Sequence, residues 1–137
     1  MKALIFTISL LISTQANANQ ALSTEIEEAI NNNLIYIQAE DTEGTMSTIH
    51  SQSAVYLPTK NSLPQIFGNY QLSYTILSYK LVGYDGELAY ARIKQRTKKI
   101  SGPAFQNNDL DMLQIFKQEA GVWKLWGQAN MSVEYFK

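Results

Sequence analysis

Between Ala21 and Ala39 the apolar residues Leu22, Ile26, Ala29, Ile30, Leu34 and Ile37 recur three or four positions apart, the repeat of one buried stripe on an α-helix. Thr24 and Glu27 have capping-box spacing at its start. The asparagines at 31–33 are poor helix formers and predict a local weak point. Asp41 fits the N-cap of a shorter second helix reaching about Ile49, with Met46 and Ile49 turned inward and Gly44 lowering its propensity. Ala54 to Leu57 reads as a short strand stopped by Pro58. Ser62 to Gln65 reads as a cap and one helical turn, with Pro64 in that turn and Gly68 closing it.

From Tyr70 to Lys99 the period changes to two, and Asp85-Gly86 in the middle marks a β-hairpin. On the second strand Ala89, Ala91, Ile93, Gln95 and Thr97 form a small or apolar row, and Tyr90, Arg92, Lys94, Arg96 and Lys98 form a long, charged one. Such alternation predicts one covered and one wetter face. A two-residue turn pairs Tyr84 with Glu87 and puts Lys80 on the covered side with Leu72, Tyr74 and Ile76, a conflict that a bulge near Ser78 to Lys80 resolves. After Ser101-Gly102-Pro103 and a loop to about Asn108, two more strands follow, Leu110 to Gln118 and Val122 to Val133, joined by Glu119-Ala120-Gly121. Pairing Gln118 with Val122 gathers Leu113, Ile115, Trp123, Leu125, Gly127 and Ala129 on the covered face, and Met112, Gln114, Phe116, Lys124, Trp126 and Gln128 on the other.

Helices followed by a four-stranded antiparallel meander give an α+β class with the helices on one sheet face. A curved sheet around a long first helix makes a cone whose open end is a natural pocket. The amphipathic first helix running into AEDTEGTMSTIH, the strand pair around YDGELAYARI and the closing GVWKLW resemble the nuclear transport factor 2-like, or SnoaL-like, superfamily over residues 21–135. The resemblance implies the cone-shaped nuclear transport factor 2-like/cystatin-like fold that ketosteroid isomerase and scytalone dehydratase share. It leaves function open, since that fold hosts isomerases, dehydratases, cyclases, pigment binders and dimerisation modules. Catalytic relatives often carry a polar or acidic residue late on the last strand. Here Gly127, Ala129 and Met131 are expected on that face, a departure that speaks against acid–base chemistry.

The first eighteen residues have another logic. Met1-Lys2, an apolar run from Ala3 to Ile12 and the small-x-small triplet Ala16-Asn17-Ala18 form a cleavable secretory leader, cut after Ala18, with a single SnoaL-like domain over 19–137. The run is too short to span a bilayer, so stable membrane insertion after cleavage is not expected. The chain has no Cys and one His, which excludes Cys nucleophiles and Cys-based metal sites and argues against a multi-His zinc site; neither a metal nor another cofactor is called for. A net charge of −1 gives no general attraction to nucleic acid, which is not an expected partner.

Several residues stand out against this background. His50 is the candidate general base, with a plainer reading as a residue at a helix C-terminus. Asp41 is the carboxylate to pair with it, although capping already occupies Asp41. Gln95 is the one amide in its covered row and needs a partner; with Tyr36, Tyr56 and Tyr74 it makes the candidate ligand-binding set, apolar walls with hydroxyl tips. Tyr90, Arg92 and Lys94, beside an aromatic and apolar patch of Met112, Phe116 and Trp126, make the candidate surface for a sheet-to-sheet homodimer.

The leading expectation is thus a periplasmic or secreted domain that binds a small apolar molecule or a partner without chemistry of its own. The alternatives are a lyase or isomerase moving a proton through His50 or a carboxylate, and a homodimeric interaction module with a filled cavity.

Overall fold

The computed structural model describes residues 8–137, with side chains from Gln15 onward. Met1-Lys2 and the front of the apolar run lie outside the described residues. Three helices, α1 (Ile8–Gln38), α2 (Thr42–Ser47) and α3 (Tyr56–Asn69), precede four long strands, β1 (Gln71–Tyr84), β2 (Leu88–Ser101), β3 (Asn107–Glu119) and β4 (Val122–Phe136). The strands pair in chain order as one antiparallel sheet, and the helices pack on one face of it. Among the described residues no helix is long and apolar enough to cross a membrane.

The expected stripe of α1 is present: Ile26 and Ile30 are buried against Ala89, Ala91, Ile93, Met112 and Phe116, with Leu22 and Ala29 packed beside them. Ala89 and Ala91 are small enough to let the helix lie close to the sheet. The capping box is not formed, because the helix begins far upstream and Thr24 sits inside it, its hydroxyl donating back to the Gln20 carbonyl at 3.1 Å. The asparagine run does not interrupt the helix either. Asn33 uses its amide to donate to Thr48 Oγ1 at 2.6 Å, tying α1 to the chain just beyond α2.

Asp41 is the N-cap of α2 as expected, its carboxylate accepting from the Gly44 N–H at 2.8 Å. Beyond it, the strand expected at Ala54 to Leu57 is replaced by the start of α3. Pro58 falls in the first turn of that helix, where its missing N–H has no intrahelical partner to lose, so it marks a helix start and not a strand end. The short turn expected around Ser62 to Gln65 is likewise the middle of this 14-residue helix. Leu63 joins Met46 and Ile49 in a second core, flanked by Val55, Tyr56 and Phe67. Leu125 packs against both cores and links them.

The first hairpin turns one position later than expected. Gly86 and Glu87 are its central residues, Asp85 N–H donates to Leu88 O at 3.1 Å, and Tyr84 pairs with Ala89. The Asp85 carboxylate accepts from the N–H groups of Glu87 and Leu88 and from the Tyr90 hydroxyl, which holds it below the usual carboxylate range. Because the turn slid along both strands together, facing beside it is unchanged, and the Ala89, Ala91, Ile93 row faces the helices.

The bulge expected near Ser78 to Lys80 exists as a pair flanking that stretch. Leu77 and Val82 are extra residues on β1; between them Tyr79 and Leu81 face the core, and Lys80 pairs with Arg92 on the outer side. Ile100 on β2 and Trp126 and Met131 on β4 are extra in the same way. The bulges account for four of the large apolar side chains left in solvent: Leu77, Val82, Ile100 and Met131.

The second hairpin overturns an expectation. Its turn has two residues, Ala120 (φ 51°) and Gly121 (φ 78°), and Glu119 pairs with Val122. A one-residue change in pairing turns β3 over relative to β4. Met112 and Phe116, expected on the outer surface, are each only 2 % exposed and lie in the core beneath α1, whereas Leu113 and Ile115 take the outer face. The bulge at Trp126 then reverses the phase of β4, so Gly127 and Ala129 also face outward, and Gln128 and Asn130 occupy the helix-facing positions. There Gln114 donates to Gln128 at 3.0 Å and Gln128 to Asn130 at 2.9 Å, an amide row that the expected register does not reveal.

Candidate functional site

Side chains at positions 25, 28, 29, 32 and 36 lie along one flank of α1 beside its buried stripe. Opposite them stand the end of α2 and the β3–β4 turn, leaving a cleft of about 410 Å³. Glu25, Glu28 and Asn32 form one wall, Gln118, Val122 and Trp123 the other, and Tyr36 with Ser47 and Thr48 one end. The Trp123 indole N–H donates to Glu25 Oε2 at 3.0 Å, and its ring meets Tyr84 edge-on, centroids 6.0 Å apart. Tyr36 is seated over Gly44, where a Cβ would run into the phenol ring, so a glycine at this point in α2 is what allows that wall to stand.

Lys124 also borders the cleft, but its ammonium is held at 2.8 Å by Glu119, which accepts as well from the hydroxyl and N–H of Ser51. These donors, Lys124 foremost, draw the Glu119 carboxyl down to about 2.

Of the expected ligand-binding residues, only Tyr36 lines this cleft. Tyr56 is in the second core with Met46, Ile49 and Leu63. Tyr74 borders a separate recess with Leu34, Ile35, Gln38 and Ala39; its backbone N–H donates to Gln38 Oε1, and burial, then the Glu40 charge, raises its hydroxyl pKa. Gln95 faces the helices between Ile76 and Leu110, its amide 3.5 Å from Thr97 Oγ1. The four do not form one site. Glu25, Glu28 and Asn32 carried a signal that reading the apolar stripe alone overlooks: a second, polar stripe at helical spacing leading to Tyr36.

His50 lies elsewhere. Thr48 to His50 runs along the free edge of β4, with His50 N donating to Leu125 O and Leu125 N to Thr48 O, both at 2.9 Å. Its imidazole is 5 % exposed, edge-on to Trp126, with Nδ1 accepting from the Gln52 N–H and standing 3.7 Å from Glu119. It follows α2 by three residues instead of ending it, and its carboxylate neighbour is Glu119, not Asp41. His50 is absent from the walls of the cleft.

On the outer face the basic row is matched by acids. Arg92 makes a two-pronged contact with Asp111, Arg96 another with Asp109, and Lys94 reaches Glu134 at 3.5 Å. The guanidinium partners hold both aspartates below the usual carboxylate range. Of the expected interface residues, Tyr90, Arg92 and Lys94 are on this face, with Trp126 beside it, its ring under the Lys117 ammonium at 4.6 Å.

A family model described as the anti-sigma-I factor RsgI9, C-terminal domain, matches residues 28–136. No curated protein matches the sequence. Among solved structures, an NTF2-like protein of unknown function from Pseudomonas putida KT2440 is similar at a TM-score of 0.66 and 13 % identity, covering 80 % of this chain and 84 % of that one. A protein with a cystatin-like fold from Nostoc punctiforme PCC 73102 gives 0.63 and 12 %, covering 78 % and 87 %. A ketosteroid isomerase-like protein from Erwinia carotovora atroseptica SCRI1043 gives 0.58 and 15 %, covering 80 % and 96 %. The fold is therefore nuclear transport factor 2-like, as the resemblance implied. At these identities the likeness speaks for fold alone.

Proposed function

The chain belongs to the family of the anti-sigma-I factor RsgI9 C-terminal domain, and from that premise we propose that it is an exported recognition domain that binds a small molecule without transforming it. The observation that carries this reading is the cleft between α1 and the β3–β4 turn, whose aromatic walls are fixed by packing and whose lining excludes the chain's one histidine. A protein built for proton transfer keeps its base within reach of substrate. Here His50 is packed against Trp126 away from the cleft, which leaves the solvent-exposed Glu25 and Glu28 as the carboxylates on its lining and no imidazole to work with them.

Export to the periplasm or medium is part of the proposal, supported by the leader pattern of residues 1–18. Native mass spectrometry of protein recovered from its own export compartment tests both parts. The expected result is a chain beginning at Asn19 that carries a small-molecule mass. A chain retaining Met1 overturns the export, and bare polypeptide with no thermal shift across a small-molecule library overturns the recognition.

A second proposal rests on the outer sheet face. Leu113 and Ile115 are half-buried in its middle, flanked by the internally neutralised Arg92–Asp111 and Arg96–Asp109 pairs. An apolar centre with a polar, charge-balanced rim suits a homodimer contact. Sedimentation of the purified protein as a monomer at high micromolar concentration overturns it.

A further inference from the structure

We propose that the cleft between α1 and the β3–β4 turn is selective for small organic cations, an ammonium group carried on a flat apolar body. The inference rests on the recognition role above and names its ligand class. The first support is shape and surface: about 410 Å³ is enough for a one-ring ligand, and Trp123 and Tyr36 offer it two aromatic surfaces. The second is charge. Glu25 and Glu28 stand on the same flank of α1, three residues apart, and among the described residues neither has an ion-pair partner. Lys124, the one cation on the lining, is already engaged by Glu119.

The cleft therefore holds uncompensated negative charge beside aromatic rings, the combination that favours an organic ammonium over a neutral or anionic molecule of equal size. Glu25 is additionally fixed by the Trp123 indole, so one carboxylate oriented by that bond and one free to move face the cavity together. Asn32 and Gln118 add amide oxygens that can accept the remaining ammonium protons. A metal ion is not the match, since among the described residues no three His, Cys, Asp or Glu side chains come together.

The test is a nuclear magnetic resonance titration of the protein with phenethylamine, 2-phenylethanol and phenylacetate, read at the Trp123 indole N–H. The expected result is a saturable shift with phenethylamine, affinity lower by about tenfold for the alcohol, and none for the acid. Glu28→Gln, at a solvent-exposed position where folding is not at stake, is expected to weaken phenethylamine by about tenfold without changing the alcohol. Equal affinity for amine and alcohol, binding of the acid, indifference to Glu28→Gln, or no binding of the amine each overturns the cation class. A retained neutral or anionic molecule in the native mass spectrum leaves recognition standing while removing this inference, so the two fail separately.

Discussion

The imidazole of His50 meets the Trp126 indole edge-on, with ring centroids 4.8 Å apart and planes at 87°. Trp126 is the extra residue of a β-bulge, and the Lys117 ammonium lies over its ring at 4.6 Å. The histidine thus closes a gap between the β4 edge and the segment after α2. His50→Ala is expected to destabilise the domain by about 1–2 kcal/mol, with a red shift of tryptophan emission as Trp126 gains water. His50→Phe, which keeps a ring in place, is expected to lose less in denaturant unfolding and to leave phenethylamine affinity unchanged. A loss of that affinity in His50→Phe would return the histidine to the binding site.

Glu119 titrates at about 2 in the folded protein against 4.5 when free, because Lys124 and Ser51 bind its ionised form. Asp109 and Asp111 are lowered in the same direction by Arg96 and Arg92. A carboxyl with a depressed folded-state pKa favours folding above its unfolded value and loses that contribution as pH falls toward the folded one. Thermal midpoints are therefore expected to drop as pH falls from about 4.5 to 2. Glu119→Gln should start lower at pH 7 and fall less steeply over that interval.

Ala120 occupies the left-handed region at φ 51° in the two-residue turn that fixes the β3–β4 register. A side chain there carries a strain of about 1 kcal/mol that glycine lacks. Ala120→Gly is expected to stabilise the domain by about 0.5–1 kcal/mol, and Gly121→Ala, at φ 78°, to destabilise it by about 1–2 kcal/mol. Paired thermal melts followed by circular dichroism decide both.

Neighbouring residues on β3 are expected to behave oppositely. Phe116→Ala should cost about 3–5 kcal/mol in denaturant unfolding, because the ring is buried in the α1 core. Ile115→Glu should leave the fold intact and, on the sheet-to-sheet homodimer proposed above, shift sedimentation toward the monomer, because Ile115 lies on the outer face.

These contrasts show where a sequence stops being legible. In the first hairpin, moving the turn one place along changed the partners beside it by two positions, and the surplus residues Val82 and Leu77 absorbed that offset one step at a time until Ile76 met Gln95 as expected, so the alternation of β2 still named the right face. In the second, reading a three-residue loop at Glu119-Ala120-Gly121 changed partners by one and inverted β3, although Met112 and Phe116 are ordinary core residues. Only a positive φ at Ala120 distinguishes the two pairings, and a non-glycine residue does not announce it. α1 and α2 were legible because helical spacing and an Asp cap are local signals. The cleft was not, since it brings Glu25 within reach of Trp123, 98 positions away.

The extra residues Leu77 and Val82 on β1 carry one more consequence. Deleting either would leave Ile76, Tyr79, Leu81 and Tyr84 facing inward, since each is the surplus member of a local two-against-one arrangement. What would change is curvature. Shortening β1 by these single steps should flatten the ribbon and move its far end relative to α1 without inverting a side chain. The bend of the sheet and the choice of which residues it hides are therefore independently adjustable in this chain.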